Sequence, residues 1–247
     1  MAELTHRSDA ASRSNRAIAY HDSLASGWSG RYASGGFRKR AEFFDRAVLP
    51  LLAPRGRWID VGCGSGVFSR ILAGRGADVL GVDGSSAMIE AARAGGGEPA
   101  PRYEVRAIET LASEAGGCDG VLCLSVIEYL DDPAAGLAIL ARLLRPGGAL
   151  VLSAPNRHSS VRRAQSALRT LASRVGAKAF NYLESSRNAW SKRELAAFAE
   201  ASGLDVEAIL GFDPKLPGAL ARLASPSLWF LIARRRGPKD RDRRSTL

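Results

Sequence analysis

Cysteine and histidine are scarce in this chain, with three of each among 247 residues. Cys63, Cys118 and Cys123 form no Cys-x-x-Cys pair. Neither a zinc site nor a disulfide framework is therefore expected, and no metal ligands are assigned; a reducing, cytoplasmic setting fits best. Nowhere do about 18 apolar residues run together, and the first twenty residues hold no apolar stretch long enough for a signal-peptide core, so a soluble protein is expected. No internal repeat is evident. Acidic residues are also outnumbered, 25 against 35 lysines and arginines, for a formal net charge of +10. That excess favours an anionic contact, which could be nucleic acid, a phospholipid surface or an acidic small molecule, and charge alone does not choose among them.

What is present points to one main domain, since 247 residues with 46% hydrophobic content can bury one sizeable core. Short apolar runs alternate with helical patterns. The strand candidates are RWIDVGC, ADVLGVD, RYEVRA, GVLCLSV, GALVLSAP, DVEAILGF and SLWFLIARR. Helices are expected near Val67–Arg75, Ser85–Ala94, Pro133–Leu144 and Ser191–Ser202, the last opened by Ser191 with Glu194 three residues on, a capping-box spacing. Alternation of this kind predicts a doubly wound α/β fold with a mostly parallel sheet. The last two strands are joined by a Pro- and Gly-containing stretch and are expected to form a hairpin. The tail RRRGPKDRDRRSTL lacks apolar residues other than its last and is expected to be disordered.

The most informative stretch is WIDVGCGSG, where Gly62, Gly64 and Gly66 follow a strand and precede a helix. In α/β sheets that is where ligands bind, and missing side chains let the backbone approach them. A nucleoside-triphosphate loop would need Gly-Lys-Ser or Gly-Lys-Thr, but Gly66 is followed by Val67 and Phe68. A dinucleotide fingerprint would read G-x-G-x-x-G, whereas here the spacing is G-x-G-x-G and Asp60 stands just ahead of it. A carboxylate there repels a pyrophosphate and attracts an ammonium. Asp83, ending the second strand, is placed to accept hydrogen bonds from a ribose diol; its competing reading is a cap on the helix near Ser85. S-adenosylmethionine matches both carboxylates best.

These residues resemble the class I S-adenosylmethionine-dependent methyltransferases. WIDVGCGSG is similar to the first motif of that family, GVDGSSAMIEAAR to its second, GCDGVLCLSVIEYLDDP to its fourth, and LLRPGGALVLSAPNR to the segment entering its fifth strand. The nearest branch is that of the small-molecule O-methyltransferases of ubiquinone biosynthesis, because ASGWSGRYASGGFRKRAEFF resembles its N-terminal segment. The resemblance implies a Rossmann-like, seven-stranded sheet. It implies an N-terminal extension and helical lid over residues 1–50, a methyltransferase domain over 51–236 with a helical insertion at about 156–190, and a basic tail over 237–247. It places Asp60, Gly62, Cys63, Gly64 and Gly66 along the methionine end of the cofactor, Asp83 on the ribose, Gly84 under the adenosine, Ile108 and Glu109 at the adenine, and Ser125 beside the cofactor. The Cys63 thiol is assigned no chemistry, and Glu109 has a solvated surface carboxylate as its competing reading.

Methyl transfer needs an in-line acceptor atom and sometimes removal of its proton, so catalytic residues are hard to read from sequence. Related enzymes carry Glu-His after the fourth strand, but here Glu128 is followed by Tyr129. That departure puts an inherited base and any metal dependence in doubt. His158, after the fifth strand, is the first candidate base and Tyr129 the second. Tyr20, Trp28, Tyr32, Arg157 and Arg162 are the candidate acceptor-binding residues. The stretch NRHSSVRRAQSALRTLASRVGAKAF is basic with no acidic residue, and its apolar positions predict an amphipathic helix that lines the acceptor cavity or makes peripheral contact with an anionic membrane. No Asn-Pro-Pro-Tyr or Asp-Pro-Pro-Tyr motif follows the fourth strand, so nucleic acid is not an expected partner. The expected activity is O-methylation of a phenolic, quinone-precursor or natural-product hydroxyl. A lipid or glycolipid hydroxyl is the alternative, ahead of nucleic-acid methylation or a cofactor-binding protein without catalysis.

Overall fold

The structure, a computed structural model, describes residues 18, 19, 21, 22, 24–113, 116–161, 188–214 and 225–237. Seven strands form one sheet: β1 (Gly56–Val61), β2 (Ala77–Asp83), β3 (Arg102–Val105), β4 (Cys118–Leu124), β5 (Leu144–Pro155), β6 (Leu204–Phe212) and β7 (Leu228–Arg235). Their order is β3-β2-β1-β4-β5-β7-β6. The five strands from β3 to β5 are parallel, and β7 is antiparallel to both β5 and β6. The doubly wound, Rossmann-like reading and the C-terminal antiparallel pair are both present. Sequence reasoning missed that β7 slots between β5 and β6, since a hairpin pattern does not say which of its strands joins the sheet.

Central strands are apolar on both faces because helices cover both faces. Along β4 and β5, alternate residues serve two cores. Val121, Cys123, Leu150 and Leu152 pack in one, with Leu137, Leu140 and Leu195. Leu122, Leu124, Val151 and Phe230 pack in the other, with Phe44, Phe68 and Leu72. Helix α1 (Ala25–Trp28) and α2 (Gly35–Phe43) precede the sheet, and α3 (Val67–Ala73), α4 (Ser86–Ala94), α5 (Pro133–Leu143) and α6 (Lys192–Ala201) follow within it. Ser85 caps α4 by accepting from the Met88 amide, Asp132 caps α5 through the Ala135 amide, and Ser191 with Glu194 completes the capping box on α6. All four helices read from the sequence are thus present, each ending within two residues of its expected bounds. Most of the basic stretch, including Arg162, lies outside the described residues, as do Tyr20 and residues 238–247.

Candidate active site

The parallel strands all end on one side of the sheet, and there the chain turns from β1 through the glycine loop into α3. Gly62, Gly64 and Gly66 all have positive φ, at 71°, 53° and 75°, a region that a side chain disfavours. Their surroundings separate their roles. A Cβ at Gly62 would collide with the Val126 side chain, and one at Gly66 with the Tyr103 ring. At Gly64 a Cβ would point into a cavity, 3.4 Å from the Trp28 indole nitrogen. Gly62 and Gly66 therefore serve close packing within the protein, and Gly64 is the position that leaves room for a ligand.

That cavity has a volume of about 330 Å³. Two carboxylates lie at its base. Asp60, in β1, is buried and accepts a 2.5 Å hydrogen bond from the Ser69 hydroxyl of α3. Burial pushes its pKa up to about 7; the Ser69 bond opposes the shift and the nearby Asp83 charge adds to it. Asp83, at the end of β2, accepts from the Gly64 amide through one oxygen and from the Ser85 amide through the other, each at 2.9 Å. Burial raises its pKa too, against those two backbone bonds. Asp83 is therefore not the helix cap, which Ser85 supplies; Asp83 instead ties Ser85 to the glycine loop.

Arg40, on α2, reaches into the same cavity. Its guanidinium donates to Ser153 Oγ at 2.8 Å and lies 5.5 Å and 5.7 Å from the ring centroids of Phe68 and Phe230. Its buried Nε finds no hydrogen-bond partner among the described residues. Ser153 Oγ also accepts from the Ser125 amide at 2.9 Å, which holds Ser125 at a φ of 59° in the turn after β4. Positive φ at a residue other than glycine is uncommon, and strain of this kind concentrates at functional sites.

Of the residues singled out from sequence, Asp60, Gly62, Cys63, Gly64, Asp83, Gly84, Ile108, Glu109, Ser125, Trp28, Tyr32 and Tyr129 line this one cavity. Burial pushes the Cys63 thiol well above its ordinary pKa, in keeping with a filler rather than a nucleophile. His158 does not line it. Asn156, buried, spends its amide on Ser225 Oγ and the Pro226 carbonyl at 2.8 Å each, and its Oδ1 accepts from the His158 amide at 2.9 Å. The resulting turn leaves His158 exposed. Arg157 is also exposed and pairs with Glu194 of α6 at 2.5 Å, beside a second hollow lined by Trp190 and Phe198. An acidic partner for that arginine came from outside its own stretch of sequence.

Sequence reasoning missed Ile18, His21, Arg40, Met88 and Leu228 as lining residues. Arg40 belongs to the aromatic, basic N-terminal segment, and that composition was the available signal. His21 had none, because a lone histidine in an irregular leader carries no pattern.

A family profile described as a methyltransferase domain matches residues 32–209. A ubiquinone biosynthesis O-methyltransferase of Hahella chejuensis is 36% identical over 176 residues, which cover 68% of this chain and 69% of that protein. The protein of the same name from Xanthomonas oryzae pv. oryzae is 41% identical over 104 residues, covering 41% of this chain. The chain spans 44% of the length of that relative. Among solved structures, magnesium protoporphyrin IX methyltransferase of Synechocystis with bound SAH superposes with a TM-score of 0.67 at 19% identity, over 90% of this chain and 99% of that one. An S-adenosylmethionine-dependent methyltransferase from Mesorhizobium loti gives 0.59 at 24% identity, over 79% and 98%. These two share the fold. The chain belongs to the methyltransferases. Among the described residues no helix is long and apolar enough to cross a membrane, and no group of three or more metal-ligating side chains occurs.

Proposed function

We propose that the protein transfers the methyl group of S-adenosylmethionine to a hydroxyl oxygen of a small, largely apolar acceptor of the phenolic, quinone-precursor or natural-product kind. The observation that carries this reading is the mixed lining of one cavity, which combines the glycine-loop backbone, Asp60 and Asp83 with the apolar side chains Trp28, Tyr32, Phe37, Leu130 and Leu228. The residues present fit the cofactor. Gly64 leaves space where a side chain would stand, Asp83 retains lone pairs for the ribose hydroxyls, and Asp60 faces an ammonium whose charge would offset the burial of its carboxyl. Arg40 would take the amino acid carboxylate, and Met88 and Ile108 would lie on the adenine. When bound, the cofactor supplies an electrophilic methyl carbon on a sulfonium. The protein's part is to hold the acceptor oxygen in line with that carbon, exclude water and accept the acceptor's proton.

Residues 18–43 serve as a cover on the site, since Ile18, His21, Trp28, Tyr32, Phe37 and Arg40 all line the cavity from that segment. Names of the curated relatives support oxygen as the methylated atom. The test is transfer of labelled methyl from S-adenosylmethionine into a cell extract divided into polar, lipid and nucleic-acid pools. Label in a small-molecule O-methyl product is expected, and label confined to nucleic acid would reverse the reading.

A further inference from the structure

We propose that His21 is the catalytic base that takes the proton from the acceptor hydroxyl. The inference rests on the O-methylation reading above. Among the cavity's other ionisable groups, Asp60 is engaged by Ser69, both Asp83 oxygens accept backbone amides, and the Cys63 thiol is held neutral by burial, while Glu109, Glu128, Tyr32 and Tyr129 also line it. His158, expected from sequence to do this work, is exposed elsewhere. Among the described residues, His21 is the histidine that lines the cavity. An imidazole is the side chain whose charge ordinarily changes between pH 5 and 8, the range a base for a hydroxyl requires.

Its placement joins the two sides of the site. The ring meets Tyr129 edge-on at 5.5 Å between centroids and Trp28 at 5.6 Å. On the cofactor side, the ring lies within electrostatic reach of Asp83. Neighbouring contacts fix the segment there: Asp22 accepts a hydrogen bond from the Ser85 hydroxyl, and Ile18 packs over Gly84. The charged and titratable groups next to the imidazole are Asp83 from the end of β2, the adjacent Asp22, and Tyr129 from the turn after β4, and Glu128 of that turn lines the same cavity. Asp83 would stabilise the imidazolium once it forms. In the step itself the acceptor O–H bond breaks and its proton passes to His21. The oxygen lone pair forms the bond to the methyl carbon, and the carbon–sulfur bond breaks with its electron pair left on sulfur. The imidazolium then loses its proton to solvent.

The test uses the full chain saturated with S-adenosylhomocysteine and 4-nitrocatechol as a phenolic probe whose neutral and ionised forms absorb at different wavelengths. Native protein is expected to ionise the bound probe at lower pH than in free solution, and His21→Gln to raise that ionisation by about one pH unit or more. In the labelled-methyl assay, His21→Ala is expected to lower turnover by about 100-fold or more, with partial restoration by added imidazole, while calorimetry shows S-adenosylhomocysteine affinity within about threefold of native. Equal probe ionisation in native and His21→Gln proteins, or full-rate O-methylation by both variants, would overturn the base assignment and leave the O-methyl reading standing. Failure of the native protein to bind the probe also counts against the proposal. Label recovered only as N-methyl or C-methyl product would instead overturn the reading on which it rests.

Discussion

The cofactor side and the acceptor side of the cavity are built in different ways. The first comes from two neighbouring strand ends: Asp60 lies near the end of β1 and the glycine loop follows it, Asp83 ends β2, and the Gly64 amide is bonded to the Asp83 carboxylate across the gap. Its polar groups are the loop backbone and two carboxylates, joined by Arg40 from α2. The second is assembled from side chains far apart in the chain, with Trp28 and Tyr32 before the sheet, Tyr129 after β4 and Leu228 at the start of β7. On the proposed function, the glycine loop and its carboxylates are set by contiguous sequence, whereas the residues that would choose the acceptor depend on long-range packing and could change without disturbing the loop.

The strongest way to break that comparison is at the glycines. Gly64→Val should weaken S-adenosylhomocysteine binding by about 100-fold, since overpacking costs up to about 3 kcal/mol and the added side chain enters the ligand space. Gly66→Ala, by contrast, should show first as a lowered melting temperature, because its Cβ meets Tyr103 and its φ is 75°. Calorimetry and thermal melts of both variants check the pair. Next in size, Asp83→Ala removes hydrogen bonds to a charged acceptor, worth about 1.5–3 kcal/mol, and should weaken the same ligand by about tenfold or more.

Those effects were foreseeable because the glycine spacing and the two carboxylates lie within a short span that also carries strand and helix patterns. The fold was legible for the same reason: the β4 run VLCL and the Ser191–Glu194 box signal their elements locally. The acceptor side was not. His158 looked well placed after β5, and only the hydrogen bonds of Asn156 to Ser225 and Pro226, about seventy residues away in sequence, turn that loop so as to leave it exposed. His21 and Arg40 reach the cavity through packing of the N-terminal segment, which no periodicity reveals.

Tyr129→Phe sharpens the contrast from the other side. Losing one hydroxyl should change turnover by about tenfold at most and leave S-adenosylhomocysteine affinity unaltered, as read by labelled-methyl kinetics and calorimetry. A separate effect concerns pH. The folded Asp60 carboxyl, with a pKa of about 7 against an ordinary 3.8, holds a proton that the unfolded chain releases. Its contribution to stability is therefore full below about pH 4, falls as pH rises towards 7, and levels off above. Asp60→Asn lacks that slope, so the melting temperature of the variant relative to native should rise between pH 4 and pH 8.

A crystal structure of the native protein with S-adenosylhomocysteine tests the two-sided account most directly. The account predicts the ribose hydroxyls on Asp83, the amino group facing Asp60, the carboxylate at Arg40, and the sulfur directed toward the space bounded by Tyr129 and His21. A ligand whose ribose lies away from Asp83, or whose sulfur faces away from Tyr129 and His21, would contradict it.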